Sequence, residues 1–570
     1  MRLWKRLLGT ALCLCAAVCL MSVSASAAEH NNHPVCGETH TDIGDHTGAC
    51  GDVTWTAWNG TDDITYDADT KTAYVYLASD ATRNNHLIVK TGCTLYLCLN
   101  GNSLTSSVTS SSDMKNSEVI NVPNNAKFIL CDCKDSGTIT HSPDAKGKGV
   151  RVGTDSNPAA TFSMYGGTIS GNHADAQCWG SGGAGVEIQN GTFKMYGGTI
   201  SDNYEENISS SYCGGGVCAH SSSTFTMYDG TINNNHSVTD AGGVTVVGSS
   251  FRMYGGTISG NTAAGDGGGV GLWNGSFTLS GGTISGNTAK DDGGGVYFGG
   301  LSGNTLTISD AVEISGNSAA NGGGVYLKSR NLTMTGGSII NNNATGSGGG
   351  VYFNGDTFNV SGNVSITGNK RDATFTDSGL IGGTDNNVYL PDGKTITVTG
   401  ALTGRNQIGV TTKNLPDTSN YVQIASGNTN NADPNKFRYE NDGAIAVSAV
   451  IGSTTKLVAC KHSWSGAWTT DTSQHWKECS ICKGKNDVNA HTYDKNVAED
   501  IYKASDATCT SPALYHWSCV CGAKGANTFG SGEKNSDKHS GALGDWQSDE
   551  NNHWKEYPCC QVRAGEESHQ

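Results

Sequence analysis

The stretch Phe251-Arg-Met-Tyr-Gly-Gly-Thr-Ile-Ser-Gly-Asn261, followed by Gly267-Gly-Gly-Val270, decides the fold because copies of it recur along the chain. Its central isoleucine recurs every 25 to 32 residues. The aligned positions are Ile169, Ile200, Ile232, Ile258, Ile284, Ile314, Ile339 and Ile366. Self-similarity at such a period is typical of solenoids, in which each repeat forms one turn and buries its apolar side against the next.

Each repeat contains three short runs in which apolar and polar residues alternate. The first is Phe-x-Met, as at Phe251, the second carries the isoleucine, and the third follows the glycines, as at Val270. A period of two predicts strands with one buried face. Three strands per repeat, with turns stacked about 4.8 Å apart, predict a right-handed parallel β-helix. The predicted fold class is therefore all-β, a pectate-lyase-like solenoid followed by small Cys/His-rich modules.

An asparagine stands three residues after every one of these isoleucines. The eight positions are Asn172, Asn203, Asn235, Asn261, Asn287, Asn317, Asn342 and Asn369. Stacked turns would place them in one column, where each side-chain amide can bond the next amide and the corner backbone, as a buried amide requires. The alternative is eight separate turn asparagines, because asparagine tolerates the left-handed conformation. We predict the ladder.

Composition and pattern divide the chain into six predicted segments. They are a signal peptide (1–28), a small Cys/His element (29–60), the β-helix (61–459), a Cys/His/Trp module (460–495), a Cys-rich module (496–535) and a degenerate Cys/His/Trp module (536–570). In the second segment, Cys36 and Cys50 either help several histidines to bind zinc or form a disulfide.

The first 28 residues are typical of a secretory signal. Arg2, Lys5 and Arg6 precede an apolar run that ends in Ala25-Ser-Ala27-Ala28. We therefore expect a secreted or extracellular cell-surface protein, with no membrane insertion after signal cleavage. The formal net charge of −16 at pH 7 makes nucleic acid an unfavourable partner. We expect a monomer.

The C-terminal region contains a second, shorter repeat that is rich in Trp, His and Cys. Its first copy carries Cys-x2-Cys together with histidines at usable distances, a fair ligand set for zinc. The candidate ligands are Cys479, Cys482 and His491 with His462 or His475. The alternative is a small module built around tryptophan, with its thiols free or in disulfides.

Two other cysteine positions leave alternatives open. In the second copy of the C-terminal repeat, Tyr557 replaces the first cysteine, so that site is either defective or uses Cys559. In the early turns, Cys98 and Cys131 fall in one predicted column. A separation of about 4.8 Å lies in the range that a disulfide accepts, and the pair either forms one or stacks as thiols.

The motifs Gly-Gly-Thr-Ile-Ser-Gly-Asn and Gly-Gly-Gly-Val-Tyr-Phe resemble repeats of right-handed β-helix surface proteins of gut Gram-positive anaerobes. They are distantly similar to repeats of chlamydial polymorphic outer-membrane proteins. The tail motifs His-Trp-Lys-x-Cys-x2-Cys and Cys519-Val-Cys521-Gly resemble modules of the same surface proteins. The resemblance implies a scaffold or adhesin that binds a glycan or a host or neighbouring-cell protein. Because the sequence has no Leu-Pro-x-Thr-Gly signal, we expect release, non-covalent retention or an incomplete chain.

Tyrosines at outward strand positions are the candidate binding surface. They form two predicted columns, Tyr297, Tyr326 and Tyr352 in one, and Tyr165, Tyr196, Tyr228 and Tyr254 in the other. Exposed aromatic residues in a row can stack on sugar rings or peptide. The alternative is that such ladders only stiffen the sheet.

Four carboxylates before the glycines support a second hypothesis, a polysaccharide lyase or glycoside hydrolase. They are Asp240, Asp266, Asp291 and Asp292. Carboxylates on neighbouring turns could bind Ca²⁺ or act as acid and base on a glycan. However, the column lies at a glycine-rich corner and continues as Asn321 and Ser347, which indicates turn chemistry. The sequence therefore favours a binding scaffold over an enzyme.

Overall fold

A computed structural model describes residues 55–108, 117–154, 159–174, 182–206, 214–300, 304–309, 311–377, 379–405, 407–428, 430–441, 447–450, 453–539 and 541–569. The chain divides into two compact units. The first comprises Met1–Leu415, Val422–Val447 and Gly452–Ala459, and the second comprises Pro416–Tyr421, Ser448–Ile451 and Cys460–Gln570. The predicted signal peptide and nearly all of the N-terminal Cys/His element, including Cys36 and Cys50, lie outside the described residues.

The first unit is a parallel β-helix in which each turn adds one strand to each of several stacked sheets. The phenylalanine sheet contains Thr56–Trp58, Thr72–Leu77, Thr94–Cys98, Lys127–Cys131, Thr161–Met164, Thr192–Met195, Thr224–Met227, Ser250–Met253, Ser276–Leu279, Thr305–Ile308, Asn331–Met334, Phe358–Gly362, Ile396–Leu402, Val422–Gly427 and Thr455–Ala459. The isoleucine sheet contains Ala81–Arg83, Ser103–Ser106, Thr138–His141, Thr168–Ser170, Thr199–Ser201, Thr231–Asn233, Thr257–Ser259, Gly282–Ser285, Val312–Ser315, Ser338–Ile340 and Ser365–Thr367. The valine sheet contains Leu87–Ile88, Ile120–Val122, Val150–Val152, Val186–Gln189, Val217–His220, Val244–Val247, Val270–Trp273, Val296–Gly299, Val325–Lys328, Val351–Asn354, Val388–Leu390, Ile408–Thr412 and Phe437–Tyr439.

The predicted register is confirmed. Ile258 pairs with Ile284 on the next turn, and the same pairing joins every successive isoleucine from Ile169 to Ile366. Phenylalanines also stack in the core, for example Phe193 on the phenylalanine of the next turn, with ring centroids 4.9 Å apart. Because these side chains are fully buried, each contributes about 1.5–3 kcal/mol of hydrophobic stabilisation.

From the turn that contains His173 onward, the turns have four strands where the sequence predicted three. The fourth set of strands, the corner sheet, contains His173–Ala174, Tyr204–Glu205, His236–Ser237, Thr262–Ala263, Thr288–Ala289, Ser318–Ala319, Asn343–Ala344, Lys370–Thr376 and Gly379–Asp385. Most of these strands have two residues and directly follow the repeated asparagine, with a small residue such as Ala263 buried. Two residues are too few to show an alternating pattern, so the sequence did not reveal them. The last two strands form an antiparallel hairpin.

The asparagine ladder is also confirmed. Asn261 donates from Nδ2 to Asn287 Oδ1 at 2.9 Å and from its backbone N–H to the same oxygen at 3.0 Å. Its Nδ2 also donates to the Ile232 carbonyl at 2.9 Å. The side chain of each rung thus satisfies a buried backbone N–H and a buried carbonyl of the preceding turn, as Asn261 does for Asn235 and Ile232, which is why an amide is needed there.

The ladder runs further than the repeat. Asn369 continues it to Asn387 at 2.8 Å, and Asn387 donates to Glu440 Oε1 at 2.7 Å. The corner beside it requires glycine, because a Cβ at Gly269 would lie 2.6 Å from the Gly295 carbonyl oxygen and 2.9 Å from an Asn287 amide nitrogen. The Gly-Gly-Gly motif therefore allows the close approach of successive corners.

The second unit contains three small antiparallel sheets, and each lies within one predicted C-terminal module. The strands are Thr469–Thr470, Gln474–Glu478 and Lys485–Ala490; Lys503–Ser505, Ala513–Ser518 and Lys524–Ser531; and Trp546–Ser548, Asn552–Glu556 and Arg563–Ser568. A buried tryptophan anchors the first and third sheets, and a cation covers it. Lys485 Nζ lies 3.4 Å from the centroid of the Trp476 ring, and the Arg563 guanidinium lies 3.5 Å from that of Trp554.

The remaining regular elements are few and short. A further strand spans Val447–Val450, and 3-10 helices span Pro434–Lys436 and Asp500–Tyr502. Within the described residues, no helix has the length and apolar character needed to cross a bilayer.

Candidate functional site

The second unit contains three groups of four Cys and His side chains. Group 1 is Cys460, His462, Cys479 and Cys482; group 2 is His475, His491, Cys519 and Cys521; group 3 is Cys509, His539, Cys559 and Cys560. Within each group, the potential ligand atoms lie within 4.8 Å of one another. Ligand atoms around a tetrahedral zinc ion lie roughly 3.3–3.8 Å apart, so all three groups can hold a metal ion.

Group 1 is the most deeply buried. Cys460 and Cys479 Sγ atoms lie 3.9 Å apart, and Cys482 Sγ lies 3.5 Å from His462 Nδ1. The other ring nitrogen of His462 lies 3.0 Å from Ser448 Oγ, which fixes the ring with Nδ1 towards the thiols. Such an outer hydrogen bond is the usual way in which a ligand histidine is oriented.

Backbone groups also point at the sulfurs of group 1. The Ile481 N–H donates to Cys479 Sγ and the Gly484 N–H donates to Cys482 Sγ, both at 3.4 Å. Burial would raise the pKa of Cys479, but the backbone and His462 lower it to about 6. These contacts favour the thiolate of Cys479, the form that binds metal, whereas burial raises the pKa of Cys460 and of Cys482.

Group 2 joins the first and second C-terminal modules. Cys519 Sγ lies 3.5 Å from His475 Nδ1, and Cys521 Sγ lies 3.3 Å from His491 Nδ1. His491 Nε2 is 2.9 Å from the Asp471 carbonyl oxygen, so its remaining nitrogen also has an orienting partner. The histidines come from one module and the cysteines from the next.

Group 3 joins the second and third modules. Cys509 Sγ lies 3.0 Å from Cys559 Sγ, and His539 Nδ1 lies 3.1 Å from Cys560 Sγ. The His539 ring stacks on Tyr557, with the ring centroids 3.5 Å apart. Tyr557 therefore supports a ligand at the position where the first module has a cysteine, and Cys559 joins the group.

The structure distributes the five predicted ligands over two groups. His462, Cys479 and Cys482 lie in group 1, whereas His475 and His491 lie in group 2. Sequence reasoning treated each module as self-contained and therefore missed the ligands that the second module contributes to its neighbours, which are Cys509, Cys519 and Cys521. It also missed Cys460 and His539, which lie in the first and third modules but outside the repeated motif.

The tyrosine columns form ladders, but most of their ring faces are already in use. Tyr196 stacks on Tyr228 with centroids 4.7 Å apart and planes within 7°. Rings stacked on one another expose edges and hydroxyls rather than faces. Tyr254 ends this ladder, because residue Ser280 takes the position on the next turn, and it is 41 % exposed.

The other column is more buried than its outward position predicts. Tyr297 is only 4 % exposed, packs against Trp273, and hydrogen bonds to Asp266. Tyr326 and Tyr352 stack beside it with centroids 4.8 Å apart and remain partly accessible. Burial and the nearby carboxylates raise the pKa of Tyr297 above its usual range. Its hydroxyl is therefore engaged within the protein.

The candidate catalytic carboxylates mostly cap the corner. Asp240 Oδ1 accepts from the Asp266 N–H at 2.9 Å, and Asp266 Oδ1 accepts from the Asp292 N–H at 3.0 Å. Asn321 continues the series by donating to Asp292 Oδ1 at 3.0 Å. Burial raises the pKa of Asp266 to about 6. Asp291 is exposed beside this column. These carboxylates therefore cap backbone N–H groups at the corner, as polar side chains in turns commonly do.

Cys98 and Cys131 occupy the predicted column. They are paired in register on adjacent turns. Cys98 is a thiol whose Sγ lies 3.5 Å from Cys133 Sγ, and Cys131 Sγ lies 3.7 Å from the Leu97 carbonyl oxygen. A third cysteine, Cys133, therefore belongs to this early cluster.

Sequence reasoning missed a buried charged cluster on the outward side of the valine sheet. Glu187, 1 % exposed, accepts from Lys148 Nζ at 2.7 Å and lies 3.2 Å from His220 Nε2 and 3.5 Å from Arg151 Nε. Burial opposes its charge, but Lys148 and His220 lower the pKa of Glu187 to about 2. Burial raises the pKa of the neighbouring Glu118. The available signal was Val-Glu-Ile at 186–188, a charged residue at an outward strand position.

Comparisons with protein families, with curated proteins and with solved structures found no match to this chain. A function for this chain is therefore inferred from its fold and from the side-chain groups described above.

Proposed function

We propose that this chain is a secreted or cell-surface β-helix scaffold that binds a glycan at the end of the tyrosine column that Tyr254 closes. The predicted signal peptide and the resemblance of the repeats to surface-protein repeats support the location. The solenoid provides a stiff frame, since every turn repeats the same backbone pairing. A protein on a host or neighbouring cell is the other partner class that the sequence suggests.

The single observation that carries the binding proposal is the ordered end of one ladder. Tyr165, Tyr196, Tyr228 and Tyr254 form a continuous stack, with centroids 4.6, 4.7 and 5.4 Å apart. The stack holds Tyr254 rigid and leaves one ring face without a neighbouring tyrosine. A rigid aromatic face beside a row of hydroxyls can stack on one sugar and hydrogen bond to its neighbours. This combination favours a glycan over a peptide.

A glycan array tests the proposal. Wild-type protein is compared with Tyr254→Ala and with Tyr421→Ala, a matched exposed tyrosine outside both columns. We expect Tyr254→Ala to weaken glycan binding by about tenfold or more while the β-sheet circular dichroism is unchanged. We expect Tyr421→Ala to bind as the wild type does. Equal binding by all three proteins, or no binding of the wild type to any glycan, would overturn the glycan proposal.

The second candidate function is a polysaccharide-active enzyme, and one observation favours it. The pKa of Glu187 is lowered and that of Glu118 is raised, which is how neighbouring carboxyls are set as base and acid. Their burial, at 1 % and 2 % exposure, favours a structural ion cluster instead. Release of reducing ends or unsaturated products from a polysaccharide panel, abolished by Glu118→Gln, would establish the enzyme.

Zinc is the cofactor that we propose for group 1. Three thiols and one imidazole are a common structural zinc set, and His462 is already oriented by Ser448. Metal analysis of the full chain, purified under reducing conditions, tests this. We expect bound zinc that Cys479→Ser removes from group 1, and no bound zinc in the wild type would refute the assignment.

A further inference from the structure

We infer that groups 2 and 3 are zinc sites that staple the second C-terminal module to the first and to the third. The inference goes beyond the group 1 proposal because it concerns how the modules are held together. In group 2, His475 and His491 face Cys519 and Cys521 of the next module. In group 3, Cys509 of the second module meets Cys559 and Cys560 of the third.

The donor sets fit zinc. Each group offers four nitrogen or sulfur atoms, and the distances of 3.1 to 3.5 Å between imidazole nitrogens and thiol sulfurs are close to those around one tetrahedral ion. In group 2, the Asp471 carbonyl oxygen orients the His491 ring from outside. In group 3, Tyr557 holds the His539 ring by stacking.

Sequence distance supports the stapling role. His475 and Cys519 are 44 residues apart, and Cys509 and Cys559 are 50 residues apart. The described part of each module has a core of little more than one tryptophan or one tyrosine, such as Trp476, Tyr502 and Trp554. Modules of this size usually need a metal or disulfide cross-link to be stable. Because each ligand set is divided between two consecutive modules, it also determines which modules are joined to each other.

The third module contains an internal control. His553 and His569 occupy the positions of His475 and His491, with ring centroids 5.4 Å apart compared with 5.5 Å in the first module. His569 Nε2 lies 3.0 Å from the Asp549 carbonyl oxygen, repeating the outer contact of His491. Among the described residues, no cysteine pair completes a ligand group with these histidines. Two correctly placed histidines are thus present without a thiol pair.

The experiment measures zinc content and tryptic cleavage in the full-length protein, reduced and loaded with zinc alone. We expect three zinc ions per chain in the wild type. Cys519→Ser/Cys521→Ser should bind two and should be cleaved at least about tenfold faster at Lys495, which lies between the sheets of the first two modules. His553→Ala/His569→Ala should still bind three and should be cleaved at the wild-type rate.

Each other result of this experiment refutes one named part of the inference. One zinc per chain, lost in Cys479→Ser, would leave group 1 intact and refute both staples, whereas no zinc would refute group 1 as well. Three zinc ions with unchanged cleavage of the Cys519→Ser/Cys521→Ser protein would refute the stapling role. A disulfide between Cys509 and Cys559 in the native protein, found by mass spectrometry, would refute group 3.

Discussion

The solenoid and the C-terminal modules are stabilised in different ways, and the difference follows from the surface that each can bury. In the solenoid, residues such as Phe251, Ile258 and Val270 pack against the same residue type on the turns before and after, and all three are fully buried. In the C-terminal modules, the strands are largely exposed and one large side chain such as Trp476 forms most of each core. Repetition supplies the solenoid with a continuous core, whereas small modules need cross-links.

The two regions also place their polar groups differently. The solenoid uses buried amides in one continuous ladder, and its amides need no metal. The modules use thiols and imidazoles in separate groups, each with its own potential ion. Metal removal should therefore separate the two regions more clearly than any single substitution.

Chelation should give the largest effect. In the reduced protein, excess chelator should abolish hydrogen-exchange protection in residues 460–569, because structural zinc contributes on the order of 10–16 kcal/mol to the folding of small metal modules. Protection of solenoid amides such as Ile258 should not change. Hydrogen exchange with mass spectrometry resolves the two regions, and added zinc should restore protection in residues 460–569. Loss of protection in the solenoid, or retained protection in residues 460–569, would contradict the claim that only the C-terminal modules depend on metal.

Within the solenoid, the charged cluster around Glu187 should be the most sensitive single position. Glu187→Gln leaves Lys148 without its buried counter-charge, so unfolding free energy should fall by about 3–5 kcal/mol. Glu206→Gln is the matched control, since its ion pair with Lys146 is exposed, and it should cost less than about 1 kcal/mol. Chemical denaturation measures both.

The pH dependence of this position has a defined sign. The pKa of Glu187 is about 2 in the fold and near its usual value of about 4.3 when unfolded. Its contribution is therefore complete above about pH 5 and is lost as the pH falls towards 2. A Glu187→Gln protein whose destabilisation is the same at pH 7 and pH 2.5 would refute the ion-pair explanation.

A break in the asparagine ladder tests whether the stability of each solenoid turn depends only on the adjacent turns. Asn287→Ala removes the acceptor of two bonds from Asn261 and leaves the Ile258 carbonyl without its 3.0 Å donor. Unsatisfied buried groups cost about 1–3 kcal/mol each, so we expect a total loss of about 2–4 kcal/mol. Asn331→Ala, which removes an exposed bond to Thr357, should cost under about 1 kcal/mol.

Hydrogen exchange should show where the Asn287→Ala defect acts. In a solenoid each repeat contacts only its neighbours, so extra exchange should be confined to the turns around Asn261 and Asn317. Uniform loss of protection across the solenoid would mean that the ladder acts as one cooperative unit instead.

The contrast between the regions also explains what the sequence could predict. The register of Ile258 on Ile284 and of Asn261 on Asn287 was predictable because the same letters recur at the period of the turn. The short corner strands were not, since two residues carry no pattern. The Tyr254 ladder was predictable as a column, but its use of ring faces depends on side-chain stacking that sequence spacing does not show.

The metal groups and the charged cluster were only partly predictable for a related reason. Cys479 and Cys482 form a local motif, but their partner Cys460 marked the end of the solenoid pattern in the sequence. Glu187 and Lys148 are 39 residues apart and occur in only one pair of turns. Contacts made once between distant segments have no repeated signal, so only the structure brings them together.

The smallest predicted effect distinguishes the corner carboxylates from catalytic ones. Asn321 shows what an amide does in this column: it donates to Asp292 Oδ1 and accepts from the Ser347 N–H, both at 3.0 Å. An amide at Asp266→Asn keeps the acceptor for the Asp292 N–H and adds a donor towards Asp240. The substitution should therefore preserve the corner.

The sign of the Asp266→Asn effect follows from its pKa, which burial raises to about 6 in the fold compared with about 3.9 when unfolded. The folded protein binds the proton more tightly, so wild-type stability falls as the pH rises from 4 to 6. At pH 7.5 the amide should stabilise the protein by about 1 kcal/mol, well below the full value of the shift because solvent reaches this half-buried group. At pH 4 the gain should disappear.

Asp291→Asn, on the exposed neighbour, is the control and should change unfolding free energy by less than about 0.5 kcal/mol at either pH. If Asp266→Asn instead lowers stability at pH 7.5, the carboxylate is needed in its charged form, and a functional role for this column would have to replace the turn-capping explanation.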